Sequence, residues 1–190
     1  ECLAVGVLSD LIDEDGDLIG TFGNWLTHEE IDGAHIKGTG GAIVHPSALI
    51  RREALISVNG YSEDYPNAED LDLWLKLAEL GKLANIADRL FQYRQHINSI
   101  GYTKRLSQIE SAKAAVQAAC TRRGIEYGPK NIEERKDVMP TKDDVFTKWG
   151  WWALNGSNIK TAKKYAFKSL VSNPLNKQAW KLLACCIRGY

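Results

Sequence analysis

Asp70 is the residue whose placement in this chain asks most directly for a chemical explanation. In Asn67-Ala68-Glu69-Asp70-Leu71-Asp72-Leu73-Trp74-Leu75-Lys76-Leu77 the spacing predicts a helix from Glu69 to Leu80, turning about 100° per residue. Glu69, Asp72, Lys76 and Glu79 then share a polar stripe, whereas Asp70 falls between Trp74 and Leu77 on the apolar side. A carboxylate aimed at a core from a helix's first turn is either held by backbone N–H groups and the helix dipole or works as an acid or base. Gly38-Thr39-Gly40-Gly41 puts three glycines in four residues, implying special backbone angles, close approach to the backbone, or a plain flexible connector. No Gly-Lys-Ser/Thr follows, so it is not a Walker loop. His96 stands directly after a strand pattern. Asp13-x-Asp15 has a spacing that divalent metals use, but Asp15-Gly16 between two apolar runs is a hairpin signal, and turn chemistry accounts for the cluster. Cys2, Cys120, Cys185 and Cys186 form no Cys-x-x-Cys pair, and the adjacent two read as small core residues.

The elements that would position these groups follow from local signals. Leu3–Leu8 is a buried strand, and Leu18–Phe22 follows the turn. Thr27 and Glu30 predict a capping box opening a helix that ends near Lys37-Gly38. The glycines lead into an expected strand at Ala42–Val44, broken by Pro46, and Arg51–Val58 reads as a short helix stopped by Asn59-Gly60. Leu83–Ile86 and Leu90–Arg94 read as two short strands, and Lys104–Arg123 as a long amphipathic helix. Residues 124–142 are polar and read as a linker or crossing segment. Val145–Leu154, Asn158–Ser172 and Asn176–Ile187 predict three helices. The pattern Trp151, Gly156, Ala162, Ala166, Leu170, Pro174 is tetratricopeptide-like. One repeat and a half cannot stand alone, so this tail is expected to dock on the preceding domain or on a protein partner.

A length of 190 residues allows one domain with an appendage, or two small ones. Residues 1–103 carry 7 Lys/Arg against 17 Asp/Glu, and residues 104–190 carry the reverse, 17 against 7. The basic half could meet phosphate, an anionic membrane or, most simply, the acidic half. No apolar run reaches the roughly eighteen residues of a membrane span, and no signal peptide follows Glu1. Few, unpaired cysteines favour a reducing cytoplasmic setting. A first residue other than Met points to a fragment.

Three features occur in order: Gly38–Gly41, the acidic pair Glu69-Asp70, and His96, with His45-Pro46-Ser47-Ala48-Leu49-Ile50-Arg51-Arg52 and Val58-Asn59-Gly60-Tyr61 between the first two. Together with Ala68-Glu69-Asp70-Leu71-Asp72-Leu73-Trp74-Leu75-Lys76-Leu77 and Tyr93-Arg94-Gln95-His96-Ile97-Asn98-Ser99-Ile100, this resembles the C-terminal half of a family 2 glycosyltransferase of GT-A fold, over roughly residues 3–101. The resemblance implies an α/β class (α+β as a fragment). With the linker and tail read above, the chain divides into the acceptor-side half at 1–103, a long helix and linker at 104–142, and the helical tail at 143–190. It also implies that Asp70 is the general base of an inverting transfer from a nucleotide-sugar to a glycan or lipid-linked acceptor hydroxyl. On the same footing Glu69, Gly40 and Gly41 would bind substrate. Arg94 would contact the diphosphate or pair with Asp72. His96 would help bind a divalent metal, Mn²⁺ or Mg²⁺, or the diphosphate, imidazole suiting the former better. No nucleic-acid partner is expected, and membrane contact at the inner face is at most peripheral.

Gly101 replaces a serine at the motif edge, a minor departure. The family's donor-binding half and its Asp-x-Asp metal motif are expected upstream of Glu1, with Asp13-x-Asp15 no substitute, so the 190 residues alone are expected to be inactive. The competing reading is a non-catalytic scaffold that recruits a partner through the tail. A hydrolase using Glu69 with Asp70 is disfavoured, because neighbours on a helix diverge by about 100° and cannot flank one bond.

Overall fold

The computed structural model describes residues 1–128 and 139–188, so most of the segment 124–142 lies outside the described residues. The architecture is mixed α/β. In order, the elements are β1 (Cys2–Ile12), β2 (Leu18–Phe22), α1 (His28–His35), β3 (Leu49–Ile50), α2 (Arg52–Ser57), α3 (Glu69–Leu80) and β4 (Lys82–Arg94). They continue with α4 (Ile100–Thr103), α5 (Arg105–Arg123), α6 (Lys142–Asn155), α7 (Ile159–Ser172) and α8 (Lys177–Arg188). Spatially the chain forms two units. The first takes Glu1–Leu8, Gly23–Phe91 and the described residues of 104–128, and the second takes Ser9–Phe22, Gln92–Thr103 and the described residues of 139–188. The turn Asp13–Asp17 therefore shares a unit with the helical tail.

In the first unit, β3 runs antiparallel to β1, with Ala4 opposite Ile50. Thr27 and Glu30 cap α1 reciprocally, as expected from their spacing. Gly38, at φ +76°, turns the chain out of that helix. The expected strand at Ala42–Val44 is absent; Gly40–Ala42 and His45–Ser47 are instead single 3₁₀ turns. Pro46, with no N–H to give a ladder, and the glycines before it favour tight turns over pairing. Asn85 fastens this segment, its side-chain amide donating to Trp25 O at 2.8 Å and Ala42 O at 2.7 Å. A β-carbon on Gly6 would collide with the Asn85 side chain, so the glycine makes room for it.

α3 is covered on two sides. Leu73, Trp74 and Leu77 join Ile31, Ile43 and Leu83 in one core, while Leu71 and Leu75 pack with Ala115, Val116 and Ala119 of α5 in another. That enclosure corrects the expected polar stripe: Asp72 is completely buried and pairs with Lys76 at 2.6 Å. At the far end of α3, Glu79 takes both Nε and Nη2 of Arg122 at 2.8–3.1 Å. Arg123 forks onto Asp32 at 2.8 and 3.0 Å and donates to Leu75 O at 2.7 Å.

In the second unit, β1 and β2 form the expected hairpin, Ser9 opposite Phe22. Its apolar face, Leu11 and Ile19, packs with Val145, Trp149 and Tyr165. The expected three helices are present, and Thr141 caps the first with a capping box to Asp144. They pack through Ala153, Leu154, Ala162, Ala166, Leu182 and Cys186. Gly150 is where α6 has no room for a side chain, since a β-carbon there would collide with Leu182. The four cysteines are free. Leu83–Ile86 and Leu90–Arg94 prove to be one strand, β4, whose polar middle Ala87-Asp88-Arg89 is exposed and needs no break.

Candidate active site

The first unit brings Asp70, Glu69, Gly40, His45 and Tyr61 into one neighbourhood. Asn67, at φ +66°, sets the chain to enter α3, and its carbonyl accepts from Gln108 Nε2 at 3.0 Å. The helix then starts without a side-chain cap, because its N-cap is Ala68. Asp70 supplies one local bond, its Oδ1 accepting from Leu71 N–H at 2.8 Å. Its Oδ2 has no partner among the described residues. The cap explanation therefore uses half of this carboxylate.

Burial pushes Asp70 above the ordinary carboxylate range. The Leu71 N–H and the charge of His45 pull it back, and the neighbouring Glu69 pushes it further up. Such a carboxylate is a stronger proton acceptor than a solvated one. A β-carbon on Gly40 would lie 4.0 Å from Asp70 Oδ1 and 3.7 Å from Leu71 Cβ. The loop thus runs past the carboxylate, and the missing side chain leaves space beside it. Gly41 sits in the same 3₁₀ turn.

Sequence reasoning did not single out His45 or Tyr61. His45 Nε2 lies 2.8 Å from Tyr61 Oη, and the two rings meet edge-on at 5.4 Å. Burial raises the Tyr61 hydroxyl above its ordinary value, with Asp70 and Glu69 adding to the rise, so it stays protonated. Trp74 backs the imidazole, its ring 6.0 Å from that of His45. His35 stacks on the same indole at 6.4 Å and is fully buried, with neither ring nitrogen bonded. Burial, reinforced by Arg123, pushes its pKa down to about 3, so it is neutral. His45 was present in the motif string, but its pairing with a residue sixteen positions on is a tertiary contact with no periodic signature.

Arg94 and His96 belong to the second unit. Arg94 Nη1 donates to Asp13 O at 2.7 Å and Glu14 O at 3.0 Å, so the expected pairing with Asp72 is corrected: Arg94 braces the hairpin turn and Lys76 serves Asp72. His96 is exposed. Its backbone N–H donates to Ser99 Oγ at 3.2 Å, and its carbonyl accepts from Ser99 N–H at 3.0 Å.

Among the described residues, one set of three side chains is close enough to share a cation, namely Asp13, Asp15 and Asp17. Lys164 Nζ already occupies it, at 2.6 Å from Asp13 and 2.7 Å from each of the others. Asp13 is fully buried and fully bonded: Oδ1 accepts from the backbone of Asp15 and Asp17, Oδ2 from Lys164 and Tyr165 Oη. Burial alone would raise Asp13, but these donors together hold it below the ordinary value. The turn reading of the acidic cluster was thus incomplete, since the partner lies 151 residues away. His96 is no part of this set, so the described residues do not by themselves fit a divalent metal.

No family model matches the chain, and no solved structure matches it. It is 26% identical over 139 residues to the hyaluronan synthase of Pasteurella multocida, a match covering 72% of this chain and 13% of that protein. It is 40% identical over 72 residues to an uncharacterized glycosyltransferase of Haemophilus influenzae, covering 37% of this chain and 22% of that protein. The chain therefore spans less than a quarter of either relative. These similarities relate it to glycosyltransferases.

Proposed function

We propose that this chain is the acceptor-side part of an inverting, GT-A-type family 2 glycosyltransferase, with Asp70 as general base. The observation that carries the reading is Asp70 itself. It is a partly buried carboxylate with a raised pKa and one unbonded oxygen, beside a glycine and an imidazole–phenol pair. In the proposed step Asp70 accepts the proton of an acceptor hydroxyl as that oxygen bonds to the anomeric carbon. The bond from that carbon to the nucleoside diphosphate breaks on the opposite face, and the diphosphate leaves with the electron pair. Gly40 and Gly41 let the loop backbone approach the sugar ring near the carboxylate. Glu69 keeps Asp70 basic, and Tyr61, held by His45, offers a hydroxyl to the acceptor. His96 remains proposed as one metal or diphosphate ligand of the intact parent, the further ligands coming from outside the described residues.

The test is Asp70→Asn in the intact parent enzyme. Transfer is expected to fall about 10²–10⁴-fold, the usual contribution of a positioned base, with donor affinity nearly unchanged. Turnover at the wild-type rate by this variant would remove Asp70 from the role.

A further inference from the structure

The helical tail carries a surface that the transfer reaction does not use. Residues 159–188, which make α7 and α8, contain seven Lys and Arg and no Asp or Glu. Lys164 is committed to the Asp13–Asp15–Asp17 turn, but among the described residues no carboxylate pairs with Lys160, Lys163 or Lys168. On α7 the buried residues Thr161, Ala162, Tyr165, Ala166 and Ser169 define the inward side. At about 100° per residue, Lys160, Phe167 and Val171 fall together on the opposite side, with Lys163 on one flank and the committed Lys164 on the other; Lys168 lies further round, its Nζ 5.2 Å from the Tyr165 ring.

The apolar members of this face are unusually open for their size: Phe167 is 57% exposed, Val171 84%, and Leu175, in the turn to α8, 86%. Trp180 is 55% exposed, and its Nε1 donates to Pro174 O at 2.8 Å, which holds the indole against that same turn. Phe167 and Val171 also wall a groove of about 520 Å³ that Phe146, Trp149, Lys142 and Lys168 line with them, with one carboxylate, Glu14, on its rim. Large exposed apolar groups, an interfacial tryptophan and uncompensated ammonium groups on one hairpin match the lipid–water interface: the first enter the acyl boundary while the ammonium groups meet anionic headgroups. Nucleic-acid phosphates would engage the lysines and leave Phe167, Val171 and Leu175 without a role.

We infer that the outward face of α7 and the α7–α8 turn dock on an anionic lipid bilayer. Phe167, Val171 and Leu175 enter the headgroup region, and Lys160 and Lys163 pair with lipid phosphates. The experiment is flotation of the 190-residue chain with vesicles of phosphatidylglycerol and phosphatidylcholine, against vesicles of phosphatidylcholine alone. Binding is expected only to the anionic vesicles and to weaken in high salt. Lys160→Gln with Lys163→Gln should weaken partitioning about twentyfold or more, taking about fivefold per lysine near the surface. Phe167→Ser with Val171→Ser should weaken it comparably, and both pairs change exposed positions and are checked for native circular dichroism. As a second reading, brominated lipid should quench wild-type tryptophan fluorescence more than that of Trp180→Phe. Absence of vesicle binding, equal binding to neutral vesicles, or anionic binding indifferent to Phe167→Ser with Val171→Ser would overturn the proposal. The last of these, with equally tight binding to a DNA duplex, would identify a phosphate-binding patch instead. None of these readouts depends on transferase activity.

Discussion

At the scale of single residues, Asp70 is tuned by neighbours of opposite effect, and the two can be separated. Burial raises its pKa, His45 lowers it and Glu69 raises it. In its proposed role Asp70 acts only when deprotonated, so activity of the intact enzyme should rise with pH through the Asp70 ionisation. His45→Gln removes a lowering influence and should move that acidic limb to higher pH, whereas Glu69→Gln should move it to lower pH. A pH–kcat/KM profile of both variants checks the signs, and shifts in the same direction would contradict this electrostatic account. Asp70 was legible in the sequence because helical periodicity sets a carboxylate visibly among leucines. Of its tuning partners Glu69 was visible beside it, but His45 was not, because it sits in a 3₁₀ turn around Pro46 and reaches Asp70 only through the tertiary fold.

At the scale of elements, local chemistry was readable and long-range satisfaction was not. The capping box at Thr27 and the hairpin at Asp15-Gly16 follow from residues within a few positions of one another. Asp72 and Asp13 are different, since each is buried by elements far away in sequence and so looked solvated from its own segment. The hairpin turn shows the cost of removing such a partner. Lys164→Met would leave three carboxylates facing one another, one of them fully buried. We expect it to destabilise the second unit by about 3 kcal/mol, the order found when one member of a buried pair is removed. Urea denaturation followed by hydrogen exchange in β2 and α7 measures this, and an unchanged midpoint would mean that the turn is satisfied without the lysine.

At the scale of the whole molecule, the charge asymmetry of the sequence is partly resolved within the fold. Arg122 and Arg123 from the basic half meet Glu79 and Asp32, and Lys164 meets the Asp13 turn. Lys160 and Lys163, on the outward side of α7, belong to the excess left over. The two units should also part company in acid. His35 has a folded pKa of about 3 against 6.5 when unfolded, so its contribution is complete above pH 6.5 and is lost as pH falls towards 3. Asp13 has a folded pKa below its unfolded 3.8, so its contribution is intact above that value and is lost only below it. Hydrogen exchange across a pH series should therefore show the first unit weakening before the second, and His35→Leu should flatten the earlier phase. Simultaneous weakening of both units, unchanged by that substitution, would refute the assignment.

The link between Asp13 and Lys164 also bears on how the chain is made. The ammonium and the carboxylate it neutralises leave the ribosome 151 residues apart, and the apolar side of the β1–β2 hairpin waits for Trp149 and Tyr165 as well. While those residues are being made, a strand pair bearing Leu11 and Ile19 is without its cover, and its buried acid is without a counter-charge. Contacts of such separation form late and slowly. In the interval the four acidic side chains at 13, 14, 15 and 17 set like charges at the hairpin tip, a pattern that disfavours edge-to-edge pairing.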